Sequence, residues 1–397
     1  MPFLKGYRLL DMAWFGPGPF CAQLLGDLGF DVIKIAEVQA GAGRRGGRGL
    51  TVPFLFHEPT PGARNVGYRN ARSIALELRN PAGREVFRRL LQTADAIQEG
   101  FRPGVVDRLG VGYEAVRAVK PDIVYASLTG YGQTGPYKDR VGHDLNYLSV
   151  AGFIDLNRRA GGSPVIPAAL VADYAAGGMS AAVHILAALL RRQRTGEGAY
   201  CDVSMTDAVF EINSLPVFGY LASGVEPRRG ETLTSGFWPW YDVYETKDGK
   251  YISIATVEPW FYEALCRAIG REDLTGQQWS LERRERTRQE FHEMFRAETR
   301  EHWLAVFEGV DACFAPVNSI SEAVDAPQIR ARRMVMEVEH PVYGKVLTVG
   351  SLLKLDGRPV EARRWMMEPG QDTDEILREH GFSDHEIAEL REKRAVG

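Results

Sequence analysis

Cysteine is scarce in this chain. Cys21, Cys201, Cys266 and Cys313 are the four present in 397 residues, far apart and with no CxxC pair. That spacing argues against a disulfide framework and against a zinc site, so no metal is expected and a reducing, cytoplasmic setting fits. Surplus positive charge is lacking too: 48 Lys and Arg against 52 Asp and Glu leave a net charge of −4. No stretch interleaves basic and aromatic residues, so nucleic acid is not an expected partner. The opening "MPFLKGYRLLDMAWFG" has no basic segment leading into an apolar core, so no signal peptide is expected. The longest apolar stretch, near "SAAVHILAALL", is shorter than a bilayer span, and no membrane partner is expected. Internal repeats and low-complexity tracts are absent as well.

What is present is an ordinary globular composition, 45% apolar and 25% charged. A chain of 397 residues exceeds one ordinary core, so two or three domains are expected. "YRLLDMA" reads as a strand, "GPGPFCAQLLGDLG" as a turn and a helix from about residue 19 ended by Gly29, and "FDVIKIA" as a second strand. This β-α-β unit predicts a parallel sheet. "GRRGGRG" and "PFLFHEPTPGARN", about 43–65, read as a long Gly/Pro-rich loop. "RSIALELR", "DAIQEGF" and "PDIVYASLTGYG" add strand-loop units, and "NPAGREVFRRLLQTA" is a helix with an Asn cap and Pro at its first position. A helix is expected from about 173 to 194.

The character changes near residue 225. Two aromatic, alternating runs flank "TKDGK", a hairpin signal, and charged helical sequence follows over 259–310. The expected organisation is a Rossmann-like α/β large domain over 1–200, a linker over 201–224, a smaller α+β domain over 225–330, and a C-terminal segment over 331–397 that returns to the large domain. Ser383 and Glu386 form a capping box near the end.

Several residues carry chemistry. "GPGPFC" (16–21) follows a strand and opens a helix, as a dinucleotide loop does, but Cys21 stands where the third glycine belongs, and a tight turn explains it better. Arg69, Arg72 and Arg102 lie near expected strand ends, and the arginine fork suits phosphate. Asp173 sits near a helix N-terminus, followed by the small face "AAGGMSAA", a setting for a base or simply a capping aspartate. His143 follows Gly142 and precedes the short helix "DLNYLSVAG", whose first amides could meet a developing oxyanion. Glu258, before Pro259, is a first-turn acid or a carboxylate that orients an imidazole. His184 reads as a core histidine.

Together these pieces resemble the family III coenzyme A transferase superfamily (CaiB/BaiF type), and within it the 2-methylacyl-CoA racemase branch. "EGFRPGV" and "TGYGQTGP" are similar to superfamily motifs; "GHDLNYL", "YETKDGKYISIATVEPWFYEAL" and "DACFAPV" resemble the racemase branch. The resemblance implies that His143 and Asp173 are two acid/base groups and that Glu258 supports the histidine. It also implies that Arg72 and Arg102 meet the phosphates or adenine end of CoA, with Gly130 and Tyr131 nearby; Arg69 is a further candidate for CoA by its place near a strand end. The substrate would be an acyl-CoA thioester, with no separate cofactor, and the protein an interlocked homodimer.

Inverting a carbon α to a thioester removes a proton from one face and returns one to the other, so two groups are needed. The enolate oxygen then needs a fixed donor, for which the Asp144 amide is the candidate. The rival is a CoA transferase in which Asp173 attacks the thioester and forms acyl-anhydride and aspartyl-CoA intermediates. The chain departs from the racemase pattern at Ala36, Trp238, Trp240 and Trp260. If the tryptophans line the acyl pocket, an aromatic or compact polar acyl group is expected.

Overall fold

The computed structural model describes residues 3–14, 16–38, 69–340, 344–365 and 369–397. The Gly/Pro-rich loop expected at 43–65 lies outside the described residues. The chain divides into two compact units: Met1–Ala151, Ala168–Ile212 and Ala331–Gly397 form the first, Gly152–Pro167 and Asn213–Arg330 the second.

The first unit opens with β1 (Arg8–Asp11), α1 (Pro17–Leu28) and β2 (Asp31–Ala36). Helix α1 starts two residues before the expected position because Pro17, with its fixed φ and missing N–H, suits a first helical turn. Gly29 ends it at φ 114, a conformation glycine adopts without strain. β3 (Ala71–Ala75) and α2 (Pro81–Gln92) follow, with Asn80 Oδ1 accepting the Ala82 N–H at 2.9 Å as the cap. Then come β4 (Ala96–Glu99), α3 (Val105–Leu109), α4 (Tyr113–Val119), β5 (Val124–Thr129) and α5 (Asp144–Val150).

The chain visits the second unit at α6 (Phe153–Leu156) and returns as a π turn over Val171–Gly178 that runs on into α7 (Met179–Thr195). This 25-residue run is long and apolar enough to span a bilayer, a correction to the sequence expectation. Half of its apolar window is buried, and it packs against α1 and β5, as the core helix of an α/β unit does. β6 (Ala199–Ser204) and α8 (Met205–Ile212) come next.

The second unit continues with α9 (Ser214–Ser223), so residues 201–224 hold the end of β6 and two helices. β7 (Tyr241–Glu245) and β8 (Tyr251–Ala255) form the hairpin around "TKDGK". α10 (Pro259–Ala268), α11 (Arg284–Ala297) and α12 (Arg300–Val306) precede β9 (Phe314–Val317), which pairs antiparallel with β8. α13 (Ile320–Asp325) and α14 (Pro327–Ala331) close this part. The tail holds the β10 (Val335–His340) and β11 (Gly344–Val349) hairpin, the short pair β12 (Lys354–Leu355) and β13 (Arg358–Pro359), then α15 (Thr373–Glu379) and α16 (Asp384–Glu392). The Ser383–Glu386 capping box starts α16 as expected.

The six strands of the first unit run parallel in the order β3-β2-β1-β4-β5-β6. Ile33, Ile74, Ile97 and Tyr125 pack on one face against Val86, Phe87 and Leu90 of α2 and Ile376 and Leu377 of α15. Helices α1 and α7 take the other face. Strand order reverses between β1 and β4, and open sheets of this type bind ligands beyond the carboxyl ends of the strands at such a reversal.

Candidate active site

The loop leaving the carboxyl end of β1 is held by a buried ion pair. Asp11 Oδ2 meets Lys34 Nζ at 2.7 Å, with both side chains all but fully buried. Lys34 also donates to the Ala13 carbonyl, and Asp11 Oδ1 accepts the Ala13 N–H at 2.8 Å. Burial lowers the Lys34 pKa, while Asp11 opposes that shift. The pair therefore fixes the path of residues 11–14, just before Gly16.

Gly16, at φ 60, lies against the carboxylate of Asp173: a Cβ there would stand 2.6 Å from Asp173 Oδ2. Asp173 is the third residue of the π turn rather than a cap, and it is 5% exposed. The wider turn is possible because Gly177 and Gly178 let α1 approach. A Cβ on either would fall 2.8–2.9 Å from atoms of Pro17, Phe20 or Met205. Tyr174, next to Asp173, stacks on Phe20 of α1 at 4.7 Å. Single π turns inside α-helices are frequent at functional sites.

Burial pushes Asp173 up to about 6, the neighbouring Asp144 carboxylate adds to the rise, and His143 opposes it. These three side chains from α5 and the π turn therefore share one electrostatic environment. Asp144 Oδ1 accepts the backbone N–H of Asp173 at 2.9 Å, tying the start of α5 to the π turn. His143 is the exposed N-cap residue of α5, and its N–H donates to Asn146 Oδ1 at 3.0 Å. A carboxylate near neutrality beside an accessible imidazole is a proton-transfer arrangement.

Gly130 and Tyr131 follow the carboxyl end of β5 and support α5. A Cβ at Gly130 would lie 2.2 Å from the Tyr147 ring, and Tyr131 packs edge-on against that ring at 5.2 Å. Tyr147 donates to the Gly142 carbonyl at 2.6 Å, which fixes the residue before His143. Arg102, three residues past β4, is exposed at the same end of the sheet.

Arg69 and Arg72, expected near CoA, lie apart from this cluster. Arg69 and Arg72 lie at the amino end of β3, the opposite end of the parallel sheet. Arg69 is 3% exposed and its guanidinium pairs with Asp27 at 2.6 Å. Arg72 is engaged by Asp31 and Glu379, both at 2.6 Å. These ion pairs tie α1, β2 and α15 to β3. Of the three tryptophans that depart from the racemase pattern, Trp240 is fully buried and packs with Trp238 in the core of the second unit. Trp260 is 61% exposed, two residues after Glu258, which is the exposed N-cap of α10. His184 is exposed rather than a core residue, its Nδ1 bonded to the Ser180 carbonyl at 2.8 Å.

Sequence reasoning missed Gly16 and Glu99. Gly16 carried the signal of a glycine between a strand and Pro17, but contact with Asp173 needs the fold. Glu99 is an acid ending a buried strand and is 2% exposed. Among the described residues no group of three or more His, Cys, Asp or Glu is arranged to hold a metal ion.

The class the fold defines is a doubly wound α/β protein, with a buried carboxylate and an exposed imidazole among the loops beyond its parallel sheet. Residues 4–373 match the family model described as CoA-transferase family III, and the chain belongs to that family. It is 32% identical to alpha-methylacyl-CoA racemase of Homo sapiens, over 99% of this chain and 97% of that protein. It is also 30% identical to succinyl-CoA:glutarate CoA-transferase of Homo sapiens, over 98% of this chain and 88% of that one. The crystal structure of a CAIB/BAIF family protein from Brucella suis is similar, with TM-score 0.77 and 26% identity, covering 95% of this chain and 99% of that one.

Proposed function

We propose that the protein is an acyl-CoA racemase or epimerase that inverts the carbon α to a CoA thioester. The observation that carries this reading is the Asp173 carboxyl, raised to about 6 by burial and then by Asp144, with the nearby His143 opposing the rise. With Asp173 ionised and His143 protonated, Asp173 takes the α proton and the C–H electron pair moves to the thioester oxygen. The imidazolium then returns a proton to the opposite face of the carbon. With the proton on Asp173 and His143 neutral, the same steps run in reverse. The amide of Asp144, in the first turn of α5 where no carbonyl four residues back accepts it, is the proposed donor to the enolate oxygen. Arg102, with Gly130 and Tyr131 beside it, is the proposed contact of the CoA end. Coenzyme A belongs to the substrate, and no further cofactor is needed for this chemistry.

Glu258 is proposed to orient His143, supplied with its unit by the second copy of an interlocked homodimer. Helix α9 supports a second copy: it buries no residue and exposes Leu215, Phe218 and Leu221 at 63–70%. A cytoplasmic setting accords with four free cysteines, three of them buried.

The second reading is CoA transfer, with Asp173 as nucleophile through acyl-anhydride and aspartyl-CoA intermediates. The similarity to a succinyl-CoA:glutarate CoA-transferase at 30% identity favours it. His143 has no step in that scheme, which ranks it second. Incubating a 2-methylacyl-CoA with the protein in D₂O separates the two. Deuterium at the α carbon without any CoA acceptor supports racemisation. Acceptor-dependent CoA movement with no exchange overturns it.

A further inference from the structure

Glu99 folds its side chain over the turn that follows its own strand. Its Oε2 accepts the Phe101 N–H at 2.7 Å. The Ser127 hydroxyl on β5, opposite Glu99 in the sheet register, hydrogen-bonds to the same carboxylate. Tyr200 on β6 in turn donates to Ser127 Oγ at 3.2 Å. Tyr113 packs on the Tyr200 ring at 4.9 Å, so three strands and α4 hold the group.

This carboxylate is an expensive way to satisfy one amide. Burial pushes Glu99 up to about 7, against the Ser127 and Phe101 bonds that pull it down, and Asp107 adds to the rise. A strand end can leave its next N–H to water at little cost; a buried acid suggests that the geometry of the turn itself matters. The Phe101 ring is anchored in the core cluster, and the Val105 N–H bonds to the Arg102 carbonyl at 3.1 Å. Gly104, at φ 78, completes the turn. Held on both sides, Arg102 projects at the carboxyl end of the sheet. Among the described residues its guanidinium makes no ion pair or hydrogen bond, unlike Arg69 and Arg72.

We propose that Glu99 is a positioning residue: through the Phe101 amide it holds the 100–104 turn so that Arg102 faces the phosphates of a bound CoA thioester. The proposal rests on the acyl-CoA reading of the site. It is tested by calorimetric titration of the full-length protein with free coenzyme A, alongside exchange kinetics and thermal unfolding.

Arg102→Ala is expected to weaken CoA binding roughly 10- to 100-fold, the loss of a charge-assisted contact. Glu99→Met, which removes the acceptor but suits an apolar site, is expected to fold with unchanged or higher Tm and to weaken CoA about 10-fold. Glu99→Gln keeps an oxygen for Phe101 and is expected to bind within about 3-fold of wild type. The double Glu99→Met/Arg102→Ala is expected to bind no worse than Arg102→Ala alone, because the two residues act in series. In Glu99→Met kcat for α-proton exchange at saturating thioester stays within a few-fold while KM rises, and in Glu99→Gln both stay near wild type. Independent, multiplicative losses, or CoA binding intact in Glu99→Met, overturn the positioning role and leave the acyl-CoA reading standing. Failure of the wild-type protein to bind CoA overturns that reading and this proposal with it.

Discussion

The carboxylate of Asp144 accepts the backbone N–H of Asp173 at 2.9 Å, and its charge is the second cause, after burial, of the raised Asp173 pKa. One side chain thus holds the backbone of its neighbour and adds to the rise in that neighbour's pKa. Asp144→Asn keeps an acceptor for the amide and removes the charge. The Asp173 pKa should fall. In the proposed mechanism the rate for the enantiomer whose proton Asp173 would abstract rises with pH as Asp173 ionises, so the acidic limb near pH 6 should move to lower pH. A pH profile of kcat in D₂O exchange measures this; an unmoved limb would contradict the coupling.

Asp173 also links activity to stability. Its folded value of about 6 lies above the ordinary 3.8, so the folded protein holds this proton more tightly than the unfolded chain does. The stability this neutral carboxyl contributes is full below pH 3.8 and is lost as pH rises through about 6. Asp173→Asn should therefore abolish exchange yet stabilise the fold at pH 8 by about 1–3 kcal/mol, with little gain at pH 4. Chemical denaturation at the two pH values tests both signs.

Gly16→Ala meets two obstacles, φ 60 and a carboxylate oxygen 2.6 Å from the new methyl group. Exchange should fall at least ~100-fold through displacement of Asp173, with about 1–3 kcal/mol of destabilisation. CoA affinity should change little. A variant with full kcat would place Asp173 outside the reacting geometry.

The arginines should separate cleanly. Arg72→Ala breaks ion pairs to Asp31 and Glu379 and should lower Tm while leaving KM unchanged. Arg102→Ala should do the reverse, and its CoA affinity should show the steeper dependence on salt. Equal effects of both on KM would return Arg72 to the ligand.

Two tryptophans should behave differently as well. Trp240→Ala removes a fully buried ring and should cost about 3–5 kcal/mol without changing acyl preference. Trp260→Gln touches an exposed ring and should leave Tm unchanged. If Trp260 meets the acyl group, kcat/KM for aromatic relative to branched aliphatic thioesters should drop by ~10-fold. Competition between the two thioester types provides the readout.

Much of the local structure was legible before folding. Pro17 and Gly29 bound α1, Asn80 and Pro81 start α2, and "TKDGK" turns the β7–β8 hairpin, because each signal acts within a few residues of itself. The pattern of β and α segments carried the parallel sheet for the same reason. The arginines could not be sorted this way. Arg72 and Arg102 look alike in sequence, but a parallel sheet has two unlike ends, and only the strand direction assigns each residue to one of them. His184 failed for a related cause: periodicity gives a face, whereas burial depends on what packs against that face.

The sequence by itself determined the kinds of chemistry available: an imidazole at His143, a carboxylate at Asp173, glycines where chains must approach, and motifs that mark the family. It did so because side-chain chemistry and short-range conformational preference are properties of a few adjacent residues. The tertiary structure alone decided that Gly16 abuts Asp173, that a π turn carries this carboxylate, and that Asp144 and His143 share its electrostatic field. Desolvation and charge–charge interaction fall off over a few ångströms, so they answer to distance in space rather than to the thirty positions that separate His143 from Asp173 along the chain.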